Sequence, residues 1–353
     1  FWPNYILYLI VSLAKNIVSN LILSLYSDCR YGKIKKTKDN YYIEYFPKVI
    51  NYVKDVFVSR IGAFIYYGTD NVIISIFKGS LITGYLSNYT LVTVQVTNVV
   101  NQILASIQAT FGNYIIKEVD KKKQKEMTNN YLLVNYLIGN FCFLCVALLI
   151  QPFIKLLFGN FYLLDNVTAV LLSINLMLTI MLQLPSQLFV IYQLYKYDRP
   201  IIIISATLNI IVSCLLVNSL GINGVLIGTF FTSLLYLFSR FYIISKVVFK
   251  TNYSNYFIKI VLYFSVSVIS FFVEYIVIRQ FNGNSIIFFG ARAVIVIVLS
   301  ILIPSACLCR NKEFIYMLNK FIPQKVRKNI SEKKIIYITT TIITILIISG
   351  FII

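Results

Sequence analysis

One carboxylate stands inside a long apolar run of this chain. Residues 61–79 read IGAFIYYGTDNVIISIFKG, with Asp70 near the middle and Asn71 directly after it. An ionisable side chain is expensive within a membrane-length apolar segment, so it indicates a functional site by default. We therefore predict a functional role for Asp70. A buried hydrogen-bond network between helices is the alternative interpretation.

A second group of polar side chains lies in the apolar segment 84–116. Gln95, Asn98 and Gln102 share one helical face, and Thr97, Asn101 and Gln108 share the neighbouring one. A helix this polar cannot face lipid on that side, so it faces other helices or a watery cavity. Amide-rich helix packing is one interpretation, and a cavity wall that binds sugar hydroxyls is the other.

Other ionisable residues also interrupt apolar runs. Lys15 lies as deep in its segment as Asp70 does. Arg60 and Arg240 lie near the basic ends of their segments, and Glu274 and Arg292 lie near the opposite ends. We expect these four side chains to extend along their helices and reach the membrane interface.

The segments that position these residues define a membrane protein. Of the 353 residues, 58% are hydrophobic and 13% are charged, whereas a soluble domain has about 25% charged residues. We predict an all-α polytopic membrane protein with about ten transmembrane helices, since period-two alternation is absent. The predicted spans are 5–26, 56–77, 84–116, 131–154, 167–193, 200–217, 223–245, 258–278, 285–308 and 335–352.

The basic residues predict the orientation of these spans. Most of the 32 Lys and Arg residues lie in alternate gaps, at 27–55, 117–130, 194–199, 246–257 and 309–334. The intervening gaps contain only Lys78, Lys155 and Arg279. Cytoplasmic loops are enriched in Lys and Arg, so the first span runs from outside to inside. The net charge of +19 is therefore a topology signal, and we predict no nucleic-acid partner.

The sequence carries no signature of an enzyme. It has no histidine, no phosphate-binding loop and no dinucleotide-binding fingerprint. Cys142 and Cys145 form a CxxC pair inside an apolar run, where a structural role is favoured over metal or redox chemistry. We predict no cofactor, no metal and no catalytic residue. The outer connections are short, which disfavours a membrane glycosyltransferase or polymerase.

Two segments carry a family resemblance. TDNVIISIFKGSLITGYLSNYTLV (69–92) and GINGVLIGTFFTSLLY (221–236) resemble helix turns of polysaccharide and lipid-linked oligosaccharide flippases. These flippases belong to the multidrug/oligosaccharidyl-lipid/polysaccharide (MOP) exporter superfamily. The resemblance covers about residues 1–310, and it implies two helical lobes around a central cavity that opens alternately to each side.

The resemblance also implies a division of the chain. Because the sequence begins with Phe1 rather than Met, we expect an N-terminally truncated fragment that does not transport by itself. The segments are 1–26 (last helix of the N-terminal lobe), 27–55 (cytoplasmic linker with an amphipathic helix), 56–245 (C-terminal lobe of six helices), 246–308 (two additional helices), 309–334 (basic cytoplasmic segment) and 335–353 (an extra transmembrane helix).

The function that the resemblance implies is transport across a bacterial inner (plasma) membrane. The substrate is a polyprenyl-diphosphate-linked oligosaccharide, a repeat unit of lipopolysaccharide or capsule. Its partners are membrane lipids, a polysaccharide polymerase and chain-length machinery. The alternatives are an ion-coupled multidrug or metabolite exporter of the same fold, a membrane glycosyltransferase or polymerase, and a scaffold without transport.

The implied roles fall on eight residues. Cations attract diphosphate and amides bind sugar hydroxyls, while a buried carboxylate can hold a proton or a sodium ion. The implied substrate-binding residues are Lys15, Arg60, Gln95, Asn98, Asn101 and Gln102, and the implied ion-coupling residues are Asp70 and Asn71.

Overall fold

The computed structural model describes residues 5–31, 41–281 and 285–321, and its regular elements within these ranges are all helical. The α-helices are α1 (Tyr5–Tyr31), α2 (Tyr41–Lys78), α3 (Ser80–Lys117), α4 (Lys121–Phe158), α5 (Asn166–Met181), α6 (Gln183–Ile191), α7 (Tyr195–Leu220), α8 (Ile222–Ile243), α9 (Ser254–Arg279), α10 (Ile286–Cys307) and α11 (Lys312–Phe321). A 3-10 turn (Asn160–Tyr162) follows α4, and a π-helical turn (Ile244–Phe249) extends α8.

The helices confirm the predicted all-α membrane class. Within the described residues, eight helices are long and apolar enough to cross a bilayer, with α5 and α6 counted together. The prediction was about ten. The predicted span 56–77 falls in α2, which is not among the eight, because Asp70 and Asn71 lower its apolar character. The predicted span 335–352 lies outside the described residues.

The chain divides into two compact units, Phe1–Tyr52 and Val53–Ile353. The first contains α1, in which Arg30 donates a hydrogen bond to the Tyr26 hydroxyl over 2.6 Å. The side chain of Lys15 is exposed on this helix. The second unit contains the helices from α3 to α11 and the polar residues discussed below. The domain limits expected from the sequence stay predictions.

Helix α4 lies at the centre of the second unit. It packs against α3, α5, α9, α10 and α11, and much of its length is buried. The ring of Tyr136 stacks on that of Tyr263 from α9, with centroids 4.3 Å apart. Such contacts fix α9 against the centre of the unit, because aromatic rings bury large apolar areas.

Helices α3 and α4 extend beyond the predicted spans. Each has 38 residues, or about 57 Å at the α-helical rise, whereas a bilayer core is about 30 Å thick. The basic gap 117–130 is therefore mostly helical, and only residues 118–120 separate the two helices. The Asp120 side chain caps α4 by accepting a hydrogen bond from the backbone N–H of Lys122 over 2.9 Å, a common N-cap arrangement.

A close-packed hairpin joins α7 and α8. The chain turns at Gly221, whose φ is +59°, a region that favours glycine. Gly224 and Gly228 then place the backbone of α8 against α7. A Cβ atom at Gly224 would overlap the backbone carbonyl of Leu216, and one at Gly228 would lie 2.7 Å from the Ser213 hydroxyl. The GxxxG spacing thus acts as a packing motif here.

Candidate functional site

Two adjoining cavities follow α3 through the second unit, and we call them together the polar groove. The first has a volume of about 400 Å³ and lies between α2, α3, α5 and α8. The second has a volume of about 550 Å³ and lies between α3, α5 and α6. Thr97 and Thr179 line both cavities, so the two spaces are neighbours along α3.

The groove is polar although its helices are apolar. Hydroxyl and amide side chains from α2, α3, α5, α6 and α8 line it, including Thr90, Thr93, Asn98, Asn101, Asn175 and Gln187. Among its described lining residues, Asp70 is the one charged side chain and none is aromatic. The groove therefore offers many hydrogen-bond donors and acceptors around a single carboxylate.

Asp70 joins three helices at the first cavity. Its Oδ2 accepts a hydrogen bond from the Thr229 hydroxyl over 2.7 Å. Asn209 of α7 donates to the same hydroxyl over 3.1 Å and to that of Thr232 over 3.4 Å. Thr69 donates to the side-chain oxygen of Asn209 over 3.5 Å. The acidic residue of α2 is thus hydrogen-bonded into the α7–α8 hairpin.

Two buried oxygens of the first cavity lack a hydrogen-bond partner within the described part of the chain. They are Oδ1 of Asp70 and Oδ1 of Asn175, and both residues line the same space. The amide nitrogen of Asn175 is occupied by the Leu226 carbonyl at 3.0 Å, which fixes the orientation of the side chain. Because buried oxygens are normally satisfied, these two are candidates for binding a proton or a cation.

A break between α5 and α6 builds the second cavity. The helix is interrupted at Leu182, three residues before Pro185. Proline cannot donate the hydrogen bond of a continuous helix and its ring crowds the preceding turn. The sequence predicted one span at 167–193 with a kink here, and the kink is confirmed.

The broken helix turns amides toward α3. Gln183 donates to the side-chain oxygen of Asn101 over 2.5 Å, and Gln108 donates to Gln183 over 3.4 Å. Gln187 donates to the backbone carbonyl of Gln108 over 2.6 Å. We call these contacts along the second cavity the amide ladder. Its donors and acceptors can form hydrogen bonds with a ligand instead of with each other.

A buried ion pair contacts the lining of the second cavity. Arg240 binds Asp198 through two parallel hydrogen bonds, of 2.9 and 2.7 Å, and it also donates to the hydroxyl of the lining residue Ser186. Its guanidinium carbon lies 4.1 Å from the ring centroid of Tyr236. The expectation that Arg240 reaches the interface is wrong, because Asp198 pairs with it inside the protein.

The structure brings together four of the eight predicted site residues. Asp70, Asn71, Asn98 and Asn101 line the polar groove. Gln95, Gln102 and Arg60 have exposed side chains and do not belong to the described lining. Lys15 belongs to the first unit. The roles expected for these four residues stay predictions.

Reasoning from the sequence gave no role to Thr229, Asn209 or Thr179, which position Asp70 or line the groove. Serine and threonine in apolar helices often donate a hydrogen bond to a backbone carbonyl of the same helix, as Thr179 does to the Asn175 carbonyl at 2.9 Å. A threonine in a span is therefore a weak signal. The one available clue was the position of Thr229 directly after the glycine pair of α8.

Fold and site define a class of protein. The chain is a helical, multi-pass membrane protein with a polar groove inside its second unit. Comparisons of the chain with protein-family models, curated proteins and solved structures found no match.

Proposed function

We propose that the chain takes part in moving a polyprenyl-diphosphate-linked oligosaccharide from the inner to the outer leaflet of a bacterial inner membrane. The observation that carries the proposal is the polar groove. A sugar presents many hydroxyls, and each needs a donor or an acceptor when it leaves water. The groove supplies amides and hydroxyls along about 27 Å of α3, from Thr90 to Gln108.

The lining favours a glycan over a drug-like substrate. Pockets for drug-sized ligands are predominantly hydrophobic and aromatic, whereas the described lining of the groove has no aromatic side chain. An ion-coupled multidrug or metabolite exporter of the same fold is thus the second candidate. The repeat unit would go on to a polymerase with its chain-length machinery.

Asp70 is the proposed coupling residue, with Asn71 beside it. A proton or a cation at the unpartnered Oδ1 reduces the negative charge of the carboxylate. This weakens the hydrogen bond that Oδ2 accepts from Thr229. That hydrogen bond connects α2 with α8, so ion binding alters the connection between these two helices. Such differential binding is what lets an ion shift a conformational equilibrium.

The diphosphate would be bound outside the groove, since the groove's described lining contains no cation. Arg60 is the proposed partner in the second unit, because guanidinium groups bind phosphate oxygens strongly. The role expected for Lys15, in the first unit, stays a prediction. Replacing Arg60 by Ala tests this assignment. An unchanged affinity for polyprenyl diphosphate would contradict it.

The glycan proposal is tested by binding to the purified full chain. The probe is a polyprenyl-diphosphate-linked tetrasaccharide, with sugar-free polyprenyl diphosphate as the reference lipid. Replacing Asn101 or Gln183 by Leu removes one rung of the amide ladder, and we expect about tenfold weaker binding of the glycolipid. The reference lipid should bind unchanged.

Gln102 offers a matched control, since it follows Asn101 on α3 but does not belong to the described lining. Gln102→Leu should bind the glycolipid like the wild type. Equal losses in both variants would contradict the groove as the glycan site. Preferential binding of an aromatic cation over the glycolipid would favour the exporter.

A further inference from the structure

A large cavity lies apart from the polar groove, where α4 ends and α10 begins. Its volume is about 970 Å³. Gln151 and Lys155 of α4 line it on one side, and Ser285 and Arg292 line it on the other. Asp165, at the end of the connection between α4 and α5, and Asn166, the first residue of α5, are the other polar lining residues.

The charges of this cavity are unusual for its position. The distribution of basic residues places the ends of α4 and α9 and the start of α10 on the outer side of the membrane. Few of the chain's 32 Lys and Arg residues belong to this side, yet Lys155 and Arg292 both line this one cavity. Both side chains are half-buried. Two of the few basic residues on the outer side of the membrane therefore line the same cavity.

The wall of the cavity is held by a closed set of hydrogen bonds. The Tyr89 hydroxyl donates to Gln151 over 2.9 Å and accepts from the backbone N–H of Leu164 over 3.0 Å. Gln151 in turn donates to the Leu164 carbonyl over 2.7 Å. Tyr89 is fully buried. On the opposite side, Arg292 donates to the Phe281 carbonyl over 2.6 Å, so the guanidinium is held in place.

Most of the remaining lining is apolar, and part of it is exposed at the surface of the protein. Leu156, Leu163, Ile286 and Phe289 belong to it, and Ile286 is 73% exposed. The cavity therefore joins a charged interior to an apolar edge. This is the pattern expected around a lipid headgroup, whose phosphate needs cations and whose acyl chains need an apolar surface.

We propose that this cavity binds the phosphate group of a phospholipid headgroup from the outer leaflet. Lys155 and Arg292 bind the phosphate oxygens, for which a guanidinium offers paired donors. Asp165 lies on the same lining and binds the headgroup ammonium, so an ethanolamine phospholipid fits the two signs of charge. The site is independent of the glycan groove, with which it shares no described lining residue.

Native mass spectrometry of the purified full chain tests this site. The probes are phosphatidylethanolamine, phosphatidylglycerol, which has no ammonium, and phosphatidylcholine, whose quaternary ammonium cannot donate a hydrogen bond. The wild type should bind phosphatidylethanolamine most tightly. Lys155→Gln and Arg292→Gln should each weaken that binding about tenfold, whereas Lys155→Arg should retain it. Asp165→Asn should remove the preference for phosphatidylethanolamine over phosphatidylglycerol.

Arg279→Gln is the matched control, because Arg279 is an outer cation that does not line the cavity. Thermal unfolding without added lipid identifies any variant that fails to fold. Lys155→Gln and Arg292→Gln are separate variants, so either one tests the site if the other does not fold. An equal loss in Arg279→Gln would overturn the proposal, as would unchanged binding in both lining variants. Displacement of the lipid by millimolar inorganic phosphate would assign the cavity to a soluble anion and overturn the lipid proposal.

Discussion

Single charged residues in the helices of the second unit meet three different environments. Asp70 lines a cavity and keeps one oxygen unpartnered within the described chain. Arg240 is buried but fully paired with Asp198. Glu274 is buried in α9, and both of its carboxyl oxygens lack a partner among the described residues. The expectation that Glu274 reaches the interface is therefore wrong, because neighbouring helices enclose it.

Replacing Glu274 tests whether its burial destabilises the fold. A buried polar group without a partner costs about 1–3 kcal/mol. Glu274→Met keeps the length of the side chain and removes that penalty, so the free energy of unfolding should rise by a similar amount. Glu274→Gln is the control, since it retains a buried polar group and should gain less. Thermal unfolding in detergent measures both, and a destabilised Glu274→Met would reveal a partner that the carboxyl group needs.

The pair of Asp198 and Arg240 should behave in the opposite way. Removing one partner of a buried ion pair leaves an uncompensated charge and costs about 3–5 kcal/mol. We expect Asp198→Asn to lose that much stability. The double variant Asp198→Leu/Arg240→Met should recover most of it, because no charge is then left buried.

The more exposed ion pair between Lys259 and Glu313 gives a matched comparison. It closes over 2.5 Å, and its side chains are 22% and 15% exposed. Lys259→Gln should cost less than Asp198→Asn, because water still reaches both side chains of this pair. If it cost as much as Asp198→Asn, burial would not be the reason for the sensitivity of the Asp198–Arg240 pair.

At the scale of elements, the glycines of α8 set the distance to α7. A methyl group at Gly224 overlaps the backbone of Leu216, which cannot rotate away. Overpacking of this kind costs about 1–3 kcal/mol, so Gly224→Ala should lower the free energy of unfolding. Gly290→Ala in α10 is the control, since a Cβ atom there meets no atom within 4 Å.

Gly290→Ala should instead gain about 0.5–1 kcal/mol, because alanine loses less conformational freedom in a helix than glycine. Thermal unfolding of the two variants should therefore shift in opposite directions. A stabilised Gly224→Ala would contradict the close packing of α7 and α8 seen in the structure.

Much of the helical architecture could be predicted from apolar runs, but the choice of helix face could not. Amides occupy two adjacent faces of α3. Thr97, Asn101 and Gln108 line the second cavity and Asn98, from the other face, lines the first, while Gln95 and Gln102 belong to the described lining of neither. Both faces satisfy the same helical periodicity. The neighbours of α3 decide between them, and those neighbours depend on the break at Leu182, which positions the amides of α6.

At the scale of the whole molecule, the polar groove places one carboxylate near its outer end and an amide ladder near its inner end. The orientation follows from α3, whose first residues lie on the outer side by the distribution of basic residues. In the proposed mechanism, an ion at Asp70 acts on helices that also line the proposed glycan site. The proposed coupling needs no long pathway, since Thr97 and Thr179 belong to both cavities.

Replacing Asp70 by Asn tests this coupling. A ligand that binds only the folded state raises stability with its concentration, by about 2.7 kcal/mol at a hundred times its dissociation constant. Titration with sodium chloride, against choline chloride at equal ionic strength, should raise the unfolding temperature of the wild type, and a parallel pH series detects a proton instead. Asp70→Asn should lose that response while it keeps the fold, because its amide still accepts a hydrogen bond from Thr229.

Glu274→Gln, which removes a buried carboxyl group elsewhere, should retain the response. If Asp70→Asn lost stability and kept the ion response, Asp70 would be the structural anchor between α2 and α8, and coupling would have to lie elsewhere.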